Sequence, residues 1–459
     1  MSDILFHYEK VNPTSWAYLS SLLTLALFFK FNRLLSVRNI DLFLLISIAP
    51  GLLLVQYSQE NEGFRPEHAL EMQKLGYLWL FAVGLLFMAR LLLDSAMVRR
   101  PLLEPNLNAS GLAFLGSSLL FFLMANVVTG KPKPVDWSPG LTASAIKAQQ
   151  QEGSPDKFDT EAPGYWLLYL MPRITTQTVV VQSDETPPET AAEEAEQEHQ
   201  VLVITARVMA ILSHVLIVTG LVVVGARHFE NPTAGIAAAT MYLLLPYTAL
   251  WTGSIEHALP AALLMWAIVF YRRPLAAGML IGLASGTIYY PAFLLPLWCS
   301  FYWERGVKRF LTGVAITVAV LVGSLAFTAR SFDEFLSHLS QIFGVRLPLQ
   351  EHVQGIWRDA PGFWNPAYRL PILFAFVVLS ISFVAWPVRK NLGTLISCTG
   401  ALMVGAQFWH AHGGGRFVAW YLPLLLAAIF RPNLEDRIAI AMVPEGWWQA
   451  RQKVAKLAA

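Results

Sequence analysis

The chain has 459 residues, 55% of them hydrophobic and only 14% charged, with a formal net charge of +2. An ordinary soluble domain carries about 25% charged residues, so a water-soluble enzyme and a disordered chain are both excluded. So small a net charge gives no argument for nucleic acid, and two cysteines, Cys299 and Cys398, both inside apolar stretches, imply no disulfide framework.

What remains is an all-α, polytopic transmembrane bundle of about thirteen helices (eleven to thirteen), each about 20 residues long. In chain order, apolar runs lie near 15–29, 41–56, 76–93 and 111–129, then 201–225, 234–252, 257–271, 275–289, 291–303, 310–328, 370–387, 392–409 and 417–430. Four regions follow: 1–129, an N-terminal four-helix membrane region; 130–200, an acidic extracytoplasmic insert; 201–430, a C-terminal bundle with an extracytoplasmic loop at 329–369; and 431–459, a cytoplasmic tail. The first 14 residues have no basic n-region, so no cleavable signal peptide is expected.

Basic short loops mark the cytoplasmic side. Loops 30–38, 95–105, 227–228, 272–273, 305–309 and 389–390 and the tail from Arg431 carry Arg, Lys or His, and thirteen crossings place them all on one side. This predicts an N-terminus outside and a C-terminus inside the plasma (inner) membrane. The insert stands apart: residues 131–199 hold twelve acidic and five basic side chains, net −7, leaving +9 for the remainder. Its segment 183–199 reads as a solvated, disordered linker and a candidate surface for a protein partner. Segment 164–182 reads as a piece lying on the membrane surface. The spacing in 331–343, opening on a Ser331/Glu334 capping box, predicts an amphipathic interfacial helix.

Polar residues are expensive inside a membrane, so their positions carry information. Most map to the predicted outer side. Glu60 and Glu62 lie in the first outer loop, Glu256 and His257 at a helix junction, and Tyr289 and Tyr290 at a bend before Pro291. Trp357, Arg358 and Asp359 lie in the long loop, and His410, His412, Gly413–Gly415 and Arg416 form a further turn. Glu256 beside His257 suits general acid/base work, and Arg416 suits a phosphate. The three glycines can form a backbone anion nest or a plain turn. Two histidines fall short of the three or four ligands zinc takes, so no metal site is assigned, although a divalent cation is compatible with the chemistry. Arg207 and His214, seven residues apart, share a helix face; Arg207 lies near the outer end and His214 deeper, as a core histidine. Trp357 and Trp364 are the carbohydrate-stacking candidates.

Residues 201–297 carry Arg207, Asn231-Pro232, Pro246, Glu256-His257, Arg272-Arg273-Pro274, Gly278, Gly282, Leu283 and Pro291 in succession. This stretch resembles the GT-C superfamily of multi-pass, polyprenyl-phosphate-dependent glycosyltransferases. The resemblance implies sugar transfer at the extracytoplasmic face from a lipid-linked donor, with a carboxylate of the first outer loop as base. Glu60-Asn61-Glu62 stands where that family has an Asp-x-Asp pair, and tyrosine replaces the lysine of its last motif. Glu62 is then the expected base, with Glu60, Glu256 and His257 assisting; Arg207, Tyr289, Tyr290, Trp357, Arg358, Asp359, His410, His412 and Arg416 are the expected substrate contacts. Two other readings stand beside it, a non-catalytic membrane scaffold and a lipid or anion transporter.

Overall fold

A computed structural model describes residues 12–60, 66–94, 102–130, 191–328, 353–358, 362–388 and 390–432, with a few isolated further positions. Every regular element among them is helical, and the single β feature is a parallel bridge between Gln354 and His412. The elements used below are α1 (Pro13–Phe28), α2 (Val37–Ile46), α3 (Ile48–Glu60), α4 (Pro66–Asp94), α5 (Ala109–Thr129), α6 (Ala191–Val223), α7 (Pro232–Leu244), α8 (Pro246–Leu250) and α9 (Ile255–Val269). They continue as α10 (Pro274–Thr287), α11 (Leu295–Tyr302), α12 (Val307–Thr328), α13 (Arg369–Ser382), α14 (Leu392–Gln407) and α15 (Leu422–Phe430).

Asparagine starts several of these helices. Asn12, Asn108, Asn231 and Asn391 each accept a hydrogen bond from a first-turn backbone N–H, and Asn391 closes a full capping box with Thr394. At Asn12 and Asn231 a proline follows directly, occupying the position where a missing N–H costs nothing.

Four helical stretches are long and apolar enough to cross a membrane: Val37–Gln59, Glu67–Asp94, Ala109–Thr129 and His199–His228. The expectation of about thirteen spans is therefore met only in part. Five more helices are apolar but shorter, Pro232–Leu244, Ile255–Val269, Pro274–Thr287, Pro366–Ser382 and Leu392–Gln407. Prolines explain much of the shortening, since Pro246 and Pro274 open new helices and Pro291 sits in a 3-10 turn between α10 and α11. Burial explains more. Every residue of α14 and of the nine-residue α15 is buried, so their all-round apolarity reflects a protein core instead of a lipid face.

Two further expectations change. Residues 191–199, read as disordered linker, are the first turns of α6. The interfacial helix at 331–343 and the segment 164–182 lie outside the described residues, save the helical position Phe332. Helices α10 and α12 pack through Gly278, Gly282 and Gly286, spaced four apart on one face. A Cβ on Gly278 would lie 2.1 Å from the Phe310 carbonyl oxygen, so the two backbones are in contact.

Helix α4 connects the two ends of the bundle. Its last turns carry Arg90 and Asp94 into a buried charge network: Arg90 holds Asp41 through two bonds of 2.7 and 3.0 Å and Asp94 through one of 3.0 Å. Arg431, just past α15, holds Asp94 at 2.7 Å. About 25 Å away along the helix, Tyr77 lies against Gly355 at the opposite end.

Candidate functional site

The site is built around the turn that follows α14. In this turn Gly413 and Gly415 take φ of +70° and +92°, a left-handed conformation that favours glycine. Gln407, the last residue of α14, fixes the turn by accepting the Gly415 N–H on Oε1 at 3.0 Å. Residues 353–357 pair with it: Gln354 N–H donates to Ala411 O at 2.8 Å, and Gly413 N–H donates to Gln354 O at 3.4 Å. Gly355, at φ +77°, allows this approach, because a Cβ there would lie 2.7 Å from the Gly413 Cα. Two of the three glycine N–H groups are thus already bonded, which corrects the backbone-nest reading of this turn.

Against the turn lies a cluster of rings and cations from distant parts of the chain. His410 stacks on Tyr290 at 5.1 Å between centroids and also meets Phe417 at 4.7 Å and Trp420 at 5.5 Å. Its Nδ1 accepts the His412 backbone N–H at 3.0 Å, which places the ring proton of the neutral form on Nε2. Burial, then the charges of His412, Arg416 and Arg369, holds the His410 pKa well below the ordinary histidine value. Phe417 joins His410 to His257, whose ring it meets at 4.7 Å. His257 stacks on Trp251 at 4.6 Å and is hydrogen-bonded through Nδ1 to the Tyr247 hydroxyl. Trp420 Nε1 donates to the Glu256 carbonyl at 2.8 Å. The Arg416 guanidinium lies 5.5 Å above the Trp251 ring and 5.8 Å from that of Phe417. Arg369 Nε donates to Trp409 O at 3.0 Å.

The structure therefore brings together Glu256, His257, Tyr290, Trp357, His410, His412 and Arg416. It places others differently. Arg207 Nη2 donates to Gly130 O at 2.8 Å. Tyr289 and Arg358 are exposed, and Trp364 is 40% exposed. Trp357 is fully buried, packed between Phe81 and Trp364, so it cannot serve as an open stacking face for a sugar. Glu60 is the last residue of α3; Val55 of that helix touches Gly76, so α3 ends on the same side as Tyr77. Glu62 and Asp359 lie outside the described residues. His214 is satisfied in the core: Nε2 donates to Thr252 O at 3.0 Å and Nδ1 accepts from Tyr242 at 2.9 Å. Among the described residues no group of three or more His, Cys, Asp or Glu converges to hold a metal ion.

Sequence reasoning missed Tyr247, Trp251, Gln407, Phe417, Trp420 and Arg369. Each looks like an ordinary membrane-protein aromatic or edge residue. Only Gln407, a polar amide closing an apolar helix directly before WHAHGGGR, gave a usable signal. It also missed the partners of the charge network, although Arg90 inside an apolar run requires a counter-charge.

No family model matches the chain, and comparisons with curated proteins and with solved structures return no match.

Proposed function

We propose that the chain is a multi-pass membrane protein that transfers a sugar from a polyprenyl-phosphate-linked donor at its extracytoplasmic end. One observation carries this reading. Residues from four separated segments, at 256–257, 290, 353–357 and 407–420, meet at one end of the bundle, and they combine a fixed cation, histidines and aromatic rings. Such a set suits a phosphate beside a sugar. In this reading Arg416 faces the donor phosphate, while the exposed Tyr289 and Trp364 offer ring faces to the sugar. Glu62 or Glu256 takes the acceptor proton. The basic loops and the charge network belong to the cytoplasmic end.

The test is turnover by the purified protein in nanodiscs with a panel of labelled polyprenyl-phosphate sugars, scored as released polyprenyl phosphate. Glu62→Gln and Glu256→Gln are the diagnostic variants. Loss of a positioned base lowers turnover by about 10²–10⁴-fold. Failure of the wild-type protein to consume any donor overturns the reading.

A second reading, a non-catalytic scaffold, is favoured by one feature. The rings of the cluster pack on one another, and Glu256 meets them through its backbone carbonyl, which accepts from Trp420. On that reading, deleting 183–199, the acidic segment read as the partner surface, abolishes partner capture and leaves lipid-phosphate binding unchanged.

A further inference from the structure

Three buried donors without acceptors border one turn of this molecule. Gln407 Nε2, Arg416 Nε and Trp357 Nε1 are each enclosed and have no hydrogen-bond partner. Gln407 is 3% exposed and Trp357 0%. All three border the same turn. Gln407 is bonded to Gly415 through its other amide atom. Arg416 Nε would lie 2.6 Å from a Cβ on Gly413. Trp357 follows Gly355, which rests on Gly413, and its ring packs on Phe81, which borders Gly415. The orphaned atoms of Trp16 and Thr205 stand singly elsewhere. Trp409 Nε1 is also unpartnered; its ring meets Tyr290 as well as Phe293 and Phe376.

The chemistry of the set identifies its complement. An unpaired buried donor is costly, so a group of three calls for a shared acceptor. A single water can accept two hydrogen bonds and must then donate two of its own. One water therefore falls one acceptor short of the three donors, and Gln407 Oε1, which already accepts the Gly415 N–H, keeps a single lone pair for it. Arg416 adds a permanent charge that enters none of the salt bridges described, and a phosphoryl oxyanion beside it would gain a charge-assisted hydrogen bond. We infer that an oxyanion of the phosphoryl class seats against the Gly413–Gly415 turn, held by Gln407 Nε2, Arg416 Nε and the Trp357 indole N–H. The seat rests on the same site as the proposed sugar transfer and assigns the anion-binding residues there; its test reads binding alone, so it stands or falls separately from turnover.

The experiment uses the full chain in phosphatidylcholine nanodiscs. Melting midpoints are recorded against inorganic phosphate, and in parallel against discs containing about a tenth phosphatidic acid, with chloride at matched ionic strength as the control. The expected result is a saturable, phosphate-specific rise in the midpoint. A rise only in the phosphatidic acid discs assigns the seat to a lipid-borne phosphate; a rise with inorganic phosphate assigns it to a free one. Gln407→Glu keeps the oxygen that holds Gly415 and replaces the orphaned donor with a negative oxygen beside Arg416. It is expected to raise the ligand-free midpoint towards the phosphate-bound value and to abolish the phosphate response. Arg416→Gln weakens binding by about tenfold or more, and Trp357→Phe by less, as charged and neutral hydrogen bonds differ. Trp16→Phe leaves binding unchanged. If Gln407→Glu does not fold, Arg416→Gln and Trp357→Phe decide. No phosphate-specific shift in either arm, or equal shifts in wild type, Arg416→Gln and Trp357→Phe, overturns the inference and leaves the donors to ordered water.

Discussion

At the scale of single residues, the chemistry is set by which partner each polar atom finds. His410 shows this. Its enclosure by Tyr290, Phe417 and Trp420, with Arg416 and Arg369 nearby, disfavours the imidazolium. The unfolded chain therefore binds the His410 proton at higher pH than the fold does. The stabilisation is present above about pH 6.5 and is lost as pH falls below it, by up to about 1.4 kcal/mol per pH unit. Melting in detergent from pH 8 to pH 5 should show this decline, and His410→Gln should make it shallower. An unchanged slope in that variant would remove His410 as a source. Tyr247→Phe removes the one hydroxyl bonded to His257 Nδ1, and it should lower stability by about 1 kcal/mol, the usual net value of such a bond. None of these pairings was legible in the sequence. His257 and His410 are 153 positions apart and meet only through Phe417. Trp357 and Trp364 look alike as sequence, but one is enclosed and the other open.

At the scale of elements, two contacts carry predictions. Asp94 serves both Arg90 and Arg431. Asp94→Ala leaves two buried guanidiniums short of a carboxylate and should lower stability by about 3–5 kcal/mol. Replacing Asp41, Arg90, Asp94 and Arg431 together by apolar residues of similar volume should be milder, because no unpaired charge remains. Unfolding midpoints of the two variants decide the point, and an equal loss in both would sink it. The second contact is α10 on α12. Gly278→Leu must push the helices apart and should lower stability by at least about 1–3 kcal/mol. Gly323→Ala, where nothing lies within 4 Å of the new methyl, should be neutral or slightly stabilising. Gly278, Gly282 and Asn231-Pro232 stood out in the sequence, but the close packing of α10 on α12 and the capping by Asn231 came from the structure. The brevity of α14 and α15 was not readable there, because hydropathy records that a face is dry without recording whether lipid or protein keeps it so.

At the scale of the molecule, α4 sets the distance between a salt-bridged end and an aromatic, histidine-rich end. The surface of α5 is apolar, with Phe114 at 75% and Phe121 at 79% exposed. The proposed orientation predicts that a fluorescent-protein fusion after the last residue is active in the cytoplasm, whereas an alkaline-phosphatase fusion after Gly130 is active outside. The opposite pair of results would invert the topology and place the ring cluster on the cytoplasmic face.

The amino-acid sequence by itself determined that the molecule is helical and rich in apolar helices, and that its polar residues cluster in a few places. Composition and period depend only on local order, and the scarcity of charge leaves few places where polar chemistry can occur. Only the tertiary structure decided that α14 and α15 are core helices, that Arg90 and Arg431 share Asp94, and that Gln407, Arg416 and Trp357, each with an unpartnered buried donor, border one glycine turn. Those facts depend on contacts between residues far apart in the chain, which no local pattern records.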